Sequence, residues 1–248
     1  MIHPLLYSRF PLRAIPTDER TQYYHQAACA LEQSLHPTSS SPNSEHPLIS
    51  HLISLINNQT KQGGTGLVLN QYGFVLTSYH LVDQFTTNHS SLFNHTIHDR
   101  FHQNHRIDPT FIACDKEHDL ALLRALDLSS SLDPLPISPL PLTPNQPLHY
   151  LSYVDGKEIN FHQGNIKEVS YDVKYPARTI SDSLIFTGIG SRGFSGAPLF
   201  NHQNHLIGNL FGGTYLDEDD DMEYSLGTKA EYISALIIQV IKHLRNIP

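Results

Sequence analysis

The sequence predicts an all-β fold of two antiparallel barrels, joined by a proline-rich connector and carrying a helical extension at the N-terminus and a helix at the C-terminus. Three observations lead there. From Leu48 to Leu128, short apolar runs alternate with turn residues, which suits antiparallel strands closing on themselves. Asp133 to Pro147 carries six prolines, which cannot donate to a sheet ladder and favour an extended chain. Beyond that connector the short runs resume, and near the end apolar residues recur at i, i+3 and i+4. A chain of 248 residues is long enough to bury a sizeable core.

In order, residues 1–47 form an extension. Met1 to Pro16 reads as an irregular arm, and Thr17-Asp-Glu then opens a helix with acidic residues in its first turn and Tyr24, Ala27, Ala28, Leu31 and Leu35 at helical spacing. His36 to Pro47, rich in Ser and Pro, is a linker. Packing on the body is the plain role for residues 1–35; contact with a second copy or another protein is the sharper one, raised only by Tyr7, Phe10, Tyr23 and Tyr24. Residues 48–132 make the first barrel, with a strand from Gly66, a turn at Asn70 to Gly73 and a second strand ending at His80. His89 to His105 reads as a polar, solvent-facing strand pair. Its histidines at 89, 95, 98, 102 and 105 fit no common zinc spacing in a chain holding 17 histidines, so no metal is assigned there. Residues 133–147 are the connector, whose Pro136–Pro139 and Pro141–Pro144 spacings also match a PxxP ligand. In residues 148–248 the second barrel takes strands at Leu148 to Val154, Phe161 to Val169, Leu184 to Thr187, Ala197 to Phe200 and Leu206 to Phe211. A final helix then docks Ile233, Leu236, Ile237, Val240, Ile241 and Leu244.

Composition excludes several classes. The net charge is −8 and the basic residues are scattered, which argues against a nucleic-acid surface. No run approaches the roughly 18 apolar residues of a membrane span. No basic region followed by an apolar core opens the sequence, so the expected location is cytoplasmic, or outside the cell by a dedicated secretion route without a Sec signal. Cys29 and Cys114 lie in different regions and read as two reduced thiols. No cofactor motif is present.

The chemistry concentrates in Gly188 to Phe200, where Ser195 stands between Gly193 and Gly196 in front of a short apolar run. Glycine permits a tight turn and a close backbone approach, so the amides of Gly193 and Ser195 can point at one spot, as an oxyanion requires. A serine hydroxyl needs a base, and the base needs an orienting carboxylate. His80 ends one strand, and Asp119 heads the apolar run from Leu120. The chain order is His, Asp, Ser.

Three segments make the sequence resemble a trypsin-like serine peptidase of chymotrypsin fold, and most the bacterial HtrA/Deg protease domain: Gly64 to Leu69 with Leu76 to Val82, Asp115 to Leu123, and Arg192 to Leu199 with Leu206 to Gly208. Tyr224 to Lys229, leading into the last helix, is a fourth and weaker match, and the likeness runs from about residue 50 to about residue 245. It implies two Greek-key barrels of the chymotrypsin type and an endopeptidase triad of His80, Asp119 and Ser195, with Gly193 and Ser195 as the oxyanion hole. It also implies a substrate cleft bounded by Ile189, Gly190 and Arg192 and by Leu210, Phe211 and Gly212, and protein or peptide substrates. A catalytically silent binding module on the same fold is the alternative.

Departures from the family pattern matter. Phe194 stands where digestive enzymes carry Asp, which removes activation by a freed N-terminus, and Ala197 replaces a glycine. Ile189 occupies the place of the acidic residue that selects basic side chains, so a small or medium apolar P1 residue is expected. No PDZ-like module is expected after the last helix. The acidic run Asp217 to Asp221 reads as a solvated loop.

Overall fold

Helix α1, Thr17–Leu35, is the first element of a computed structural model that describes residues 17–36, 45–57, 63–83, 95–101, 103–126, 128, 132, 134–138, 140–154, 157–175, 178–188, 190–191, 193–215 and 222–246. A short helix α2, Glu45–Ser50, leads into β1 (Leu52–Asn57), β2 (Gly63–Val68) and β3 (Phe74–Ser78). A 3₁₀ turn, Tyr79–Leu81, follows, then β4 (His95–His98), β5 (Asn104–His105), β6 (Ile107–Asp115) and β7 (Leu120–Ala125). After the connector come β8 (Pro147–Val154), β9 (Glu158–Tyr175), β10 (Arg178–Thr187), β11 (Pro198–Phe200), β12 (Leu206–Tyr215), β13 (Met222–Lys229) and helix α3 (Ala230–Arg245). The arm 1–16 with Tyr7 and Phe10, the linker 37–44, and the acidic run Asp217 to Asp221 lie outside the described residues.

The second half closes into a barrel in the order β10-β13-β12-β11-β8-β9. The first half, expected as the other barrel, curls in the same way but does not close its ladder. It is a curled seven-stranded sheet, β5-β4-β1-β2-β3-β7-β6, with no pairing between its edges among the described residues. Edge strand β6 carries Pro109, which has no N–H to donate, and its register on β7 breaks between Ile107 and Ile112.

Both faces of this sheet are buried, which explains apolar runs such as Leu120-Ala-Leu-Leu. Val75, Ala121 and Leu123 point into the curl with Ile53 and Ile97. Their neighbours Leu76, Leu120 and Leu122 point the other way, onto Leu31 of α1 and Ile233 and Ile237 of α3. The apolar face of α1 is thus spent on packing, and Arg245 at the end of α3 bonds Glu32 at 2.7 Å. All six expected residues of the α3 stripe are buried.

The connector is held in place by the second barrel. Ser138 donates to Leu206 O at 2.8 Å and Leu206 N donates to Pro136 O at 2.7 Å, with Pro136 buried. Strands β9 and β10 run well past the apolar residues that marked them, since β9 is exposed over most of its length and shows little alternation. The strand pair expected ahead of His105 forms between β4 and β5, with Gln103 and Asn104 exposed, but it is not wholly solvent-facing: His105 is only 7% exposed, and its Nε2 lies 3.3 Å from Asp99 Oδ2. Among the described residues no group of side chains is arranged to hold a metal, and no helix is long and apolar enough to cross a membrane.

Ile237→Ala is expected to cost about 2–5 kcal/mol by urea unfolding, because Ile237 is fully buried between α3 and the sheet. Ile238→Ala, beside it at 41% exposure, should change stability by less than about 0.5 kcal/mol.

Candidate active site

The two halves of the molecule meet at Thr65, a fully buried residue of β2. Its N–H donates to Ser195 O at 2.7 Å and its hydroxyl donates to Gly193 O at 3.0 Å. The same hydroxyl accepts Tyr153 N at 2.9 Å from β8, and Thr65 O accepts the Thr77 hydroxyl at 2.8 Å from β3. A second seam lies alongside: Ser78 Oγ donates to Leu210 O at 3.1 Å and accepts Asn209 Nδ2 at 3.1 Å. These bonds fix the turn around Ser195 against the strand end that carries His80.

His80 sits in the 3₁₀ turn just after β3, and Asp119 ends the tight turn from β6 to β7. Asp119 adopts φ 55°, a left-handed conformation that Asp tolerates better than most residues, and it is fully buried. Its Oδ2 accepts His80 Nδ1 at 2.7 Å, and its Oδ1 accepts the His80 backbone N–H at 3.1 Å. A second donor reaches Oδ1: Arg178 Nη2, at 2.8 Å, from the tip of the β9–β10 hairpin. His118, the neighbour of Asp119, is excluded from this pairing by its place in the turn. Residues 116–119 form a turn, and His118 Nδ1 bonds Asp115 Oδ2 at 2.7 Å while its ring stacks on Tyr232.

The turn carrying Ser195 depends on glycine at two points. Gly193 has φ 94° and Gly196 φ 86°, and a Cβ on Gly196 would lie 1.9 Å from Thr65 O. Gly196 N donates to Leu210 O at 2.7 Å and Ala197 N to Phe194 O at 2.9 Å. Ala197 is not among the positive-φ residues, so its methyl is accommodated. Among the described residues no partner takes up the amide N–H of Gly193 or Ser195. The Ser195 hydroxyl donates to Phe211 O at 3.4 Å, and no hydrogen bond joins it to His80.

The stretch from residue 64 to residue 208, more than half of the chain, matches the family model described as the trypsin-like peptidase domain. The chain belongs to this family. No curated protein sequence matches it. Solved structures similar to it include the MamO protease domain from Magnetospirillum magneticum, at TM-score 0.61 and 17% identity over 77% of this chain and 98% of that one. The active form of the Rv3671c protease from M. tuberculosis aligns at TM-score 0.64 and 18% identity, over 82% of this chain and 88% of that one. The HtrA-type protease AlgW with a tripeptide aligns at TM-score 0.65 and 14% identity, over 81% of this chain and 63% of that one. At these identities the likeness is one of fold.

In this trypsin-like peptidase the residue before the serine is part of the core. Phe194 is 2% exposed and packs on His162 and Tyr150, with ring centroids 4.7 and 6.3 Å away. Burial lowers the pKa of His162 and pushes the Tyr150 phenol up to about 12. Away from the site, burial does the same to the free thiol of Cys114, also to about 12.

Of the residues expected to bound the cleft, Ile189 and Arg192 lie outside the described residues, and Gly190 is half-buried. The side chains of Leu210 and Phe211 face the core, so only their backbone reaches the cleft. β12 pairs with β11 no further than Asn209 but with β13 from Gly208 to Tyr215, which among the described residues leaves Phe211 to Tyr215 with one open edge. Tyr175 lies close by, since a Cβ on Gly212 would come 3.1 Å from its hydroxyl. Sequence reading missed Arg178 and Tyr175. A hairpin tip holding Pro176 signals a turn, but nothing local signals a carboxylate 59 residues away in the chain.

Because the pKa of His162 is lower in the folded state, unfolding takes up a proton below the ordinary value of 6.5, so stability is lost as pH falls through that region. The urea midpoint of the wild type is expected to drop more between about pH 7 and about pH 5 than that of His162→Phe. Equal drops would remove His162 as the cause.

Proposed function

We propose that this peptidase is a serine endopeptidase that cleaves peptide bonds through an acyl-enzyme on Ser195, with His80 as base and then acid and Asp119 as its orienter. The observation that carries the reading is the bond from His80 Nδ1 to Asp119 Oδ2 at 2.7 Å. It fixes the tautomer that leaves Nε2 free to take a proton. For the reaction Oγ must leave the Phe211 carbonyl, which it now bonds, for that nitrogen. Oγ then attacks the scissile carbonyl, its proton passes to His80, and the carbonyl electrons collect on an oxyanion. The uncommitted amides of Gly193 and Ser195 are the donors for that oxyanion, a contribution of about 3–4 kcal/mol per donor in measured cases. His80 returns the proton to the leaving amine, and water repeats the sequence to release the acid. Once Ser195 has turned away, Phe211 O is open to a substrate amide, and the free edge of β12 suits a peptide bound as an added strand.

For the first subsite we propose a small or medium apolar residue. The wall is side-chain-free at Gly190, Gly212 and Gly213, and the neighbouring polar groups, the Tyr150 and Ser225 hydroxyls near Gly188, are neutral. A second reading, a silent binding module, draws support from one observation: the Ser195 hydroxyl is on Phe211 O instead of His80.

Fluorophosphonate labelling separates the two, since only an activated serine with a competent hole reacts. Wild type should label at Ser195 and Ser195→Ala should not; absence of labelling in both would favour the silent module. Asp119→Asn is expected to lower peptide turnover by about 10⁴ with little loss of fold, by analogy with the corresponding change in a well-studied triad. Profiling of new N-termini made by wild type but not by Ser195→Ala should show apolar P1 residues, and dominant cleavage after Lys or Arg would overturn the pocket assignment.

A further inference from the structure

Asp119 has more support than orientation of an imidazole requires. Both oxygens are engaged, the residue is wholly buried, and one of its three donors is a cation from the other half of the molecule. Arg178 is not a loose surface side chain. It is two-thirds covered, and its guanidinium lies 5.9 Å from the ring centroids of both Tyr79, the neighbour of His80, and Tyr175.

We propose that Arg178 is a positioning residue of the triad, and that its charge sets the field in which His80 works. The inference rests on the peptidase reading above. A guanidinium on Oδ1 stops the buried carboxylate rotating away from His80. It also offsets part of the negative potential that the carboxylate exerts at the imidazole. Other titratable groups near this corner include Lys116, whose ammonium lies 5.3 Å from the Tyr79 ring centroid, the phenol of Tyr175, exposed Asp83, three residues after His80, buried Asp115, and the buried thiol of Cys114, on which Asp119 acts. None of these is hydrogen-bonded to Asp119, so Arg178 is the cation that acts on it directly. The same hairpin end brings the Tyr175 hydroxyl close to Gly212 of β12.

The test is the rate of fluorophosphonate labelling of the full chain between about pH 5 and about pH 9, for wild type, Arg178→Lys, Arg178→Gln and Arg178→Ala, each checked for fold by circular dichroism. In the Gln and Ala variants the acid limb should move to higher pH by roughly 0.5–1 unit, the size expected of one partly screened charge about two bonded groups away. Lys, which keeps the charge, should stay near wild type. A merely structural role would lower the rate at every pH and leave the midpoint in place. Labelling of wild type with any other pattern of midpoints overturns the role of Arg178 alone, whereas a wild type that never labels brings down the peptidase reading and this inference with it.

Discussion

The site depends on one buried threonine. Thr65 uses its N–H, its hydroxyl in both directions and its carbonyl to tie β2 to the Ser195 turn, to β8 and to β3. Each such bond is worth about 1 kcal/mol net, but an unmade buried partner costs about 1–3 kcal/mol, so the three that cross between the halves leave little freedom in how they dock. Ser195 belongs to the barrel and His80 to the curled sheet. Thr65 is what makes the distance between them a property of the fold.

Asp119 is the other constraint. Strand β7 must begin at Leu120 to place Leu120 and Leu122 against the helices and Leu123 inside the curl, and a tight turn must then deliver the carboxylate immediately before it. The left-handed backbone at Asp119 is the consequence, and strain of this kind persists only where surrounding structure over-determines it. That structure includes Tyr79 N, which donates to Asp119 O at 3.0 Å, so backbone and side chain of the same residue both hold the turn that bears His80.

What could be read from the sequence follows from how local each feature is. Ser195 announces itself because a tight turn requires glycines beside it; His80 and Asp119 because each sits where an apolar run ends or begins. The α3 stripe is legible since all its contacts lie on one face. The open edge of the first sheet was not, because closure depends on register between strands far apart in sequence, and the break on β6 between Ile107 and Ile112 leaves no simple pattern. The burial of His105 was hidden by the polar residues around it, since its cover comes from Asp99 and neighbouring strands. Arg178 was illegible for a stronger reason. Its partner is chosen by where a long hairpin ends in space, and β9, exposed over most of its length, carries little periodicity to mark that end.

Phe194 shows how the same turn is supported without a charge beneath it. A buried ion pair under Ser195 would have to overcome a desolvation penalty of several kcal/mol per ion before it helped. An aromatic ring in that place contributes about 1.5–3 kcal/mol by burial and meets no such penalty. The cost appears elsewhere, in the group that packs against it. His162 stacks on Tyr150 at 4.8 Å and lies 3.4 Å from the Ser152 hydroxyl, a setting that accepts a neutral ring and disfavours a charged one. The support of the Ser195 turn is therefore coupled to pH through His162. It is not coupled to a proteolytic cut that frees an amino terminus, because Phe194 presents no carboxylate to receive one.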